Sequence, residues 1–241
     1  MKKTVNEIKK YYENEKLAKD YINSRFNRPL GRLIHHNQIS FINKFIRDKK
    51  ISSVIDVATG PGRISKDVYG FKYGLAVDNS KAMLKIANVN LNGRFNLKVV
   101  DVFKMNIGKK FDLVYSFKFI RHFDISKRRI LYKSIKKLMS RNSYLIFDVP
   151  NGFIYKWHTK HYPSPVYDEF WTKKTIIKEL EDNEFTVVSL VNNINHFKVQ
   201  EFISKFSKIK ILTYTLYLLL RLIELVPSSQ PYEWIAVAKI K

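Results

Sequence analysis

The sequence predicts an α/β fold on an open, mostly parallel sheet, and three observations carry that expectation. Short apolar runs repeatedly end in a polar residue: Val54–Ile55 before Asp56, Gly74 to Val77 before Asp78, Leu97 to Val100 before Asp101, and Phe111 to Tyr115 before Ser116. Helical periodicity separates several of these runs. The first run opens into a turn with Gly60 and Gly62. Strands alternating with helices are the pattern of a parallel sheet covered on both faces, and polar residues at strand ends lie at its ligand edge.

Composition narrows the chemistry. With 241 residues the chain suits one domain with insertions. It has no cysteine, which excludes disulfides, zinc–thiolate sites, iron–sulfur clusters and thiolate nucleophiles. His35-His36 has no carboxylate at metal-ligand spacing, so the pair is expected to be solvated and no metal is assigned. The basic balance, 44 Lys+Arg against 21 Asp+Glu for a net charge of +23, would draw nucleic acid or an anionic membrane surface. AT-rich coding accounts for abundant Lys, Asn, Ile, Tyr and Phe but not for the scarcity of acids. Between Lys104 and Arg141 twelve basic residues face two acidic ones. The start, Met-Lys-Lys-Thr-Val-Asn-Glu, has no apolar core of signal-peptide length, which makes cytoplasmic the default location, with peripheral membrane contact as a variant.

In chain order, residues 1–50 read as a helical cap, with Tyr11, Tyr12, Leu17 and Tyr21 on one helix and Ile39, Ile42, Phe45 and Ile46 on the next. A core follows over 51–150. Glycine at Gly60 and Gly62 lets the backbone turn sharply and lets a ligand approach it. A dinucleotide fingerprint would need Gly or Ala where Arg63 stands, so NAD is disfavoured. The helical pattern resumes at Ile64 and ends near Gly70. Asp78, at the second strand's end, is placed for ribose hydroxyls, and Asn79-Ser80 caps a helix carrying Met83, Leu84 and Ala87. A basic helix is expected from Ser126 to Met139, with Ile130, Leu131, Ile135 and Leu138 as its buried stripe.

The run from Asp56 to Gly62, D-V-A-T-G-P-G, resembles motif I of the class I S-adenosylmethionine-dependent methyltransferases, with Ala58 in place of the first glycine. The resemblance extends from Asp56 to Pro150. It implies a three-layer, Rossmann-like, seven-stranded sheet of order 3-2-1-4-5-7-6 with the last strand antiparallel. S-adenosyl-L-methionine is the implied cofactor. The implied contacts are Asp56, Ala58, Thr59, Gly60 and Gly62 from the first turn, Asp78, Asn79 and Met83 from the second strand onward, Asp101 and Val102 at the adenine, and Ser116 and Phe117 beneath the methionine part. In similar enzymes a leading helix closes over the cofactor, so Tyr12, Tyr21 and Arg25 either line the pocket or only pack on the sheet. His122 occupies the place of a histidine seen in many small-molecule methyltransferases; it is read as a general base, or as a residue that caps the helix or holds the loop. The Asp/Asn-Pro-Pro-aromatic sequence is absent at Ser116–Phe119, against adenine-N6 and glutamine acceptors.

Beyond the core, residues 151–170 read as a long loop that is either a substrate lid, with Tyr155, Trp157, His158, His161 and Tyr162 facing the acceptor, or a surface loop folded on its own aromatics. A helix over Trp171–Asn183, a strand over Phe185–Val191 and a last strand over Glu233–Lys239 complete the sheet. Residues 196–230 are an insertion. Its helix, 209–226, has one narrow polar stripe of Lys210, Thr213, Tyr217, Arg221 and Glu224; it is too short to span a bilayer and is expected in the core or a dimer contact, or else at a membrane interface. The expected function is methyl transfer to a small-molecule or lipid-like acceptor. The alternatives are an RNA methyltransferase acting through the basic surface, and a cofactor-binding protein without catalysis.

Overall fold

The computed structural model describes residues 28–161, 167–208 and 212–241. Tyr12, Tyr21, Arg25, Tyr162 and Lys210 lie outside these residues, as do Tyr11 and Leu17. A single sheet holds strands β1 (Ser53–Val57), β2 (Tyr73–Asp78), β3 (Asn96–Val99), β4 (Phe111–Ser116), β5 (Met139–Pro150), β6 (Phe185–Asn193) and β7 (Glu233–Ile240). Their order is β3-β2-β1-β4-β5-β7-β6. The first five are parallel, and β7 runs antiparallel between β5 and β6. The expected topology therefore holds.

Alternation along β1 sorts the two core layers. Val54 faces one way, with Ile42 and Ile46 of helix α1 (Pro29–Lys49) and Leu84, Ala87 and Leu91 of α2 (Lys81–Leu91). Ile55 and Val57 face the other, with Leu131 and Ile135 of α3 (Ile125–Lys137). Ile176 and Leu180 of α5 (Lys173–Asp182) belong to the same cluster. The sheet is thus covered on both faces, and its open edge is left for a ligand. Ile130 departs from the expected stripe of α3. It is 44% exposed, because Arg128, Leu131, Tyr132 and Ile135 form the true inward face at helical spacing and the Arg128 guanidinium pairs with Glu179.

Two further expectations are corrected. After Gly62 the chain makes only one 3-10 turn, Ser65–Asp67, rather than a helix to Gly70; the segment is too short to run along the sheet. The expected lid loop is instead helix α4 (Gly152–His161). Its Tyr155 packs between Phe170 and Tyr232, with ring centroids 5.3 and 4.7 Å away. Those aromatics give the segment an apolar face to bury, which is what makes a helix stable there.

The insertion forms α6 (Phe197–Ser204), a 3-10 turn (Lys205–Lys208) and α7 (Leu212–Glu224). Among the described residues no helix is long and apolar enough to cross a membrane.

Candidate active site

The carboxyl ends of β1, β2 and β4 converge on one cleft of about 960 Å³, part of it open to solvent. It lies where the strand order reverses, between β1 and β4, the usual ligand crevice of an open α/β sheet. The turn after β1 supplies its floor. Ala58 has φ 60°, Gly60 56° and Gly62 77°, so the chain passes through the left-handed region three times within five residues. A Cβ at Gly60 would meet nothing within 4 Å and would project into space that a ligand can use, whereas one at Gly62 would press on Leu91 at 3.1 Å. Gly60 is therefore a cradle glycine and Gly62 a packing glycine.

Three carboxylates mark the strand ends. Asp56 is buried and accepts the hydroxyls of Thr59 at 2.7 Å and Ser65 at 2.6 Å; burial pushes its carboxyl up to about 6. Asp78 accepts the Gly60 N–H at 2.8 Å and the Ser80 N–H at 2.8 Å, and burial raises its pKa. Ser80 in turn caps α2 by accepting from Met83 N. Asp101 accepts the Phe103 N–H at 3.1 Å.

The cleft is lined by Asp56, Ala58, Thr59, Gly60, Asp78, Asn79, Met83, Asp101, Val102, Phe117 and His122, as expected from the sequence. Ser116 and Gly62 are absent from the lining. The Ser116 hydroxyl donates to Val57 O at 2.7 Å and ties β4 to β1. Of the expected lid residues, Tyr155, Trp157, His158 and His161 also line none of it. Tyr155 and His158 turn instead into the aromatic cluster with Phe197 and Tyr232.

Several residues were not legible as site residues. Arg63 lines the cleft with its guanidinium directed to His35 Nδ1 and Gln38 Oε1, each at 3.0 Å. His35 is consequently not solvated: Nδ1 accepts from Arg63 while Nε2 donates to Asp67 at 2.8 Å, and burial, then Arg63, lower its pKa. Phe103, Phe119 and Phe123 add an aromatic wall whose rings meet edge to face at 5.0 Å. Lys118, at φ 58°, reaches across to Asp148 and Glu233. Beside it Arg121 pairs with Asp168 at 2.9 Å and stands over the Tyr155 ring at 4.9 Å. No sequence signal links these groups, because each pair joins different elements.

His122 is 4% exposed, and its Nδ1 lies 2.9 Å from Tyr167 O and 3.0 Å from Asp168 Oδ1. Two acceptors on Nδ1 hold the proton there and leave the lone pair on Nε2. The acidic partner that the sequence lacks beside His122 comes from Asp168, far along the chain. Among the described residues no group of three or more His, Asp or Glu is arranged to hold a metal ion.

Residues 54–142 match the family model described as a methyltransferase domain. The match spans less than half of the chain and marks this segment as similar to such a domain. Several similar solved structures hold S-adenosylmethionine or S-adenosylhomocysteine. Similar solved structures include an S-adenosylmethionine-dependent methyltransferase from Clostridium acetobutylicum, at 14% identity and TM-score 0.60, covering 86% of this chain and 92% of that one. The DhpI–SAH complex is similar at 11% identity and TM-score 0.65, over 96% and 94% of the two chains. Magnesium protoporphyrin IX methyltransferase from Synechocystis with bound SAH follows at 14% identity and TM-score 0.61, over 88% and 86%. At these identities the likeness is one of fold. No curated protein matches the chain.

The cleft fits the cofactor of such a domain on its own terms. It offers a backbone cradle open above Gly60 and a carboxylate at the second strand's end.

Proposed function

We infer that this chain transfers the methyl group of S-adenosylmethionine to a small-molecule or lipid-like acceptor held against the far wall of the cleft. The observation that carries the reading is the meeting of the first turn with the second strand's carboxylate, Gly60 N to Asp78 Oδ2 at 2.8 Å, above an unplugged crevice. Asp78 holds the ribose hydroxyls; Val102 and Phe103 cover the adenine; Asp56, Thr59 and the backbone at Ala58 and Gly60 hold the methionine end. The Arg63 guanidinium supplies positive charge for its carboxylate. The cofactor contributes an electrophilic methyl on a sulfonium, so the chain mainly orients the acceptor and excludes water.

On the acceptor side stand Phe117, Phe119, Phe123, Lys118 and His122. When the acceptor is a hydroxyl, Nε2 of His122 takes its proton as the oxygen gains the methyl, and Asp168 steadies the imidazolium so formed. An aromatic wall with few polar groups suits an uncharged or partly apolar molecule. One structural neighbour carries magnesium protoporphyrin IX in its name and another is the N-methyltransferase NodS, so the fold accommodates varied small acceptors.

The RNA reading loses support from the structure. Of the twelve basic residues between Lys104 and Arg141, Lys118, Arg121 and Arg128 turn inward onto carboxylates. Calorimetric titration with S-adenosylhomocysteine tests the cofactor half: the parent chain binds, and Asp78→Ala weakens binding by about tenfold or more, as expected for a lost charge-assisted pair of hydrogen bonds. Labelled methyl transfer into fractionated small molecules, lipids and RNA tests the acceptor half. Label appearing in RNA alone refutes it.

A further inference from the structure

We propose that the α6–α7 insertion is a membrane-docking surface that rests on anionic lipid. This is independent of which acceptor is methylated. Helix α7 is built inside out. Two residues of its polar stripe face inward: Glu224 accepts the Asn195 N–H at 2.9 Å and the Gln200 amide at 3.0 Å, and Tyr217 packs toward the cluster that holds Leu220. The opposite face is apolar and open, with Leu222 63%, Leu225 77% and Tyr214 68% exposed, and Leu218 on the same side at 40%. Helix α6 repeats the arrangement. Its Phe202, 61% exposed, and Phe206 of the following 3-10 turn, 54%, meet edge to face with centroids 5.4 Å apart. An open apolar surface of this kind in water marks a contact site.

Charge says which contact. Within residues 196–230 there are five basic residues and two acidic ones, Glu201 and Glu224, the second turned inward. Lys198 on α6, Lys205 on the 3-10 turn and Arg221 on α7 are exposed, Arg221 bordering the open face of α7. A second copy of the chain would bring the same cations and a net charge of +23 against them, whereas an anionic lipid surface complements both the apolar face and its basic border.

Flotation of the full-length protein with vesicles tests the proposal. Binding to vesicles of phosphatidylcholine with 30% phosphatidylglycerol is expected, weakening as salt is raised, with little binding to phosphatidylcholine alone. The double variant Leu218→Ser, Leu222→Ser keeps the net charge and is expected to bind about tenfold more weakly or worse while retaining its thermal midpoint and its affinity for S-adenosylhomocysteine. Unchanged flotation of that variant would reduce the attraction to net charge and overturn the proposal. So would a dimer in sedimentation that persists with vesicles and dissociates in the variant, or a loss of thermal stability in the variant that shows the face to be covered within the chain. Failure of S-adenosylhomocysteine binding would instead strike at the proposed function and leave flotation unaffected.

Discussion

At the scale of the residue, the first turn concentrates both strain and function. Ala58 occupies the left-handed region at φ 60°, where an L side chain costs about 1–2 kcal/mol and glycine nothing comparable. Ala58→Gly is therefore expected to stabilise the fold by about 0.5–1 kcal/mol once glycine's greater freedom in the unfolded chain is subtracted, read from urea denaturation midpoints. In the same turn a Cβ at Gly60 would meet nothing within 4 Å and would stand in the cleft that the proposed cofactor occupies. His122 teaches the complementary lesson. Its residue type was legible, but its tautomer is set by Asp168 and Tyr167 O, partners that only folding brings to it. Once an acceptor is in hand, His122→Gln is expected to lower turnover by about 10²–10³-fold for a hydroxyl acceptor, and Asp168→Asn to shift the pH profile of turnover while changing KM little.

At the scale of the element, helix α7 shows how periodicity finds a helix without finding its inside. The narrow polar stripe was legible, and ordinary amphipathicity would put such a stripe in water. At Glu224 the fold reverses this, because Asn195 and Gln200 give it hydrogen bonds that replace those of solvent, while Arg221 stays exposed. Two substitutions in one helix separate the cases. Leu220→Ala, at a position fully buried, is expected to cost about 2–4 kcal/mol, whereas Leu222→Ala, at 63% exposure, is expected to stay within about 0.5 kcal/mol in thermal or chemical denaturation. A loss of similar size at both would mean that the outer face is covered. Helix α4 is the parallel case. Its aromatics were visible and were read as a lid, but they fill the cluster around Tyr232 and Phe197. Sequence spacing shows that aromatics congregate, not which surface they will meet.

At the scale of the whole molecule, the charge excess is less uniform than +23 suggests, since a buried network of Lys118, Arg121, Asp148, Asp168 and Glu233 joins β5, β7, the segment after β4 and the segment before α5. Such a network is specified only when all its members meet, and breaking one partner strands the others. Two groups outside that network make stability depend on pH. The Asp56 carboxyl, raised by burial to about 6, gives a contribution fully present below its unfolded value of about 4 and lost as pH rises through 6. The His158 imidazole is lowered to about 4 by burial and then by Arg121 and Lys118, so its contribution is present above about 6.5 and lost as pH falls through 4. Relative to the parent, the stability of Asp56→Asn is expected to rise between pH 4 and 6 and that of His158→Gln to rise as pH falls across 6.5 to 4. Urea denaturation at several pH values checks both signs.

What the sequence alone determined was the strand order's chemistry: apolar runs ending in Asp56, Asp78, Asp101 and Ser116, and a glycine turn between a strand and Asp78. These are local patterns, readable because strand alternation and turn sterics act between neighbours in the chain. Which side of α7 faces inward, which carboxylate serves His122, and whether Tyr155 and His158 see the cleft were decided only by tertiary structure. Each depends on groups brought together from distant elements, where hydrogen bonding and burial, rather than spacing, select the partner.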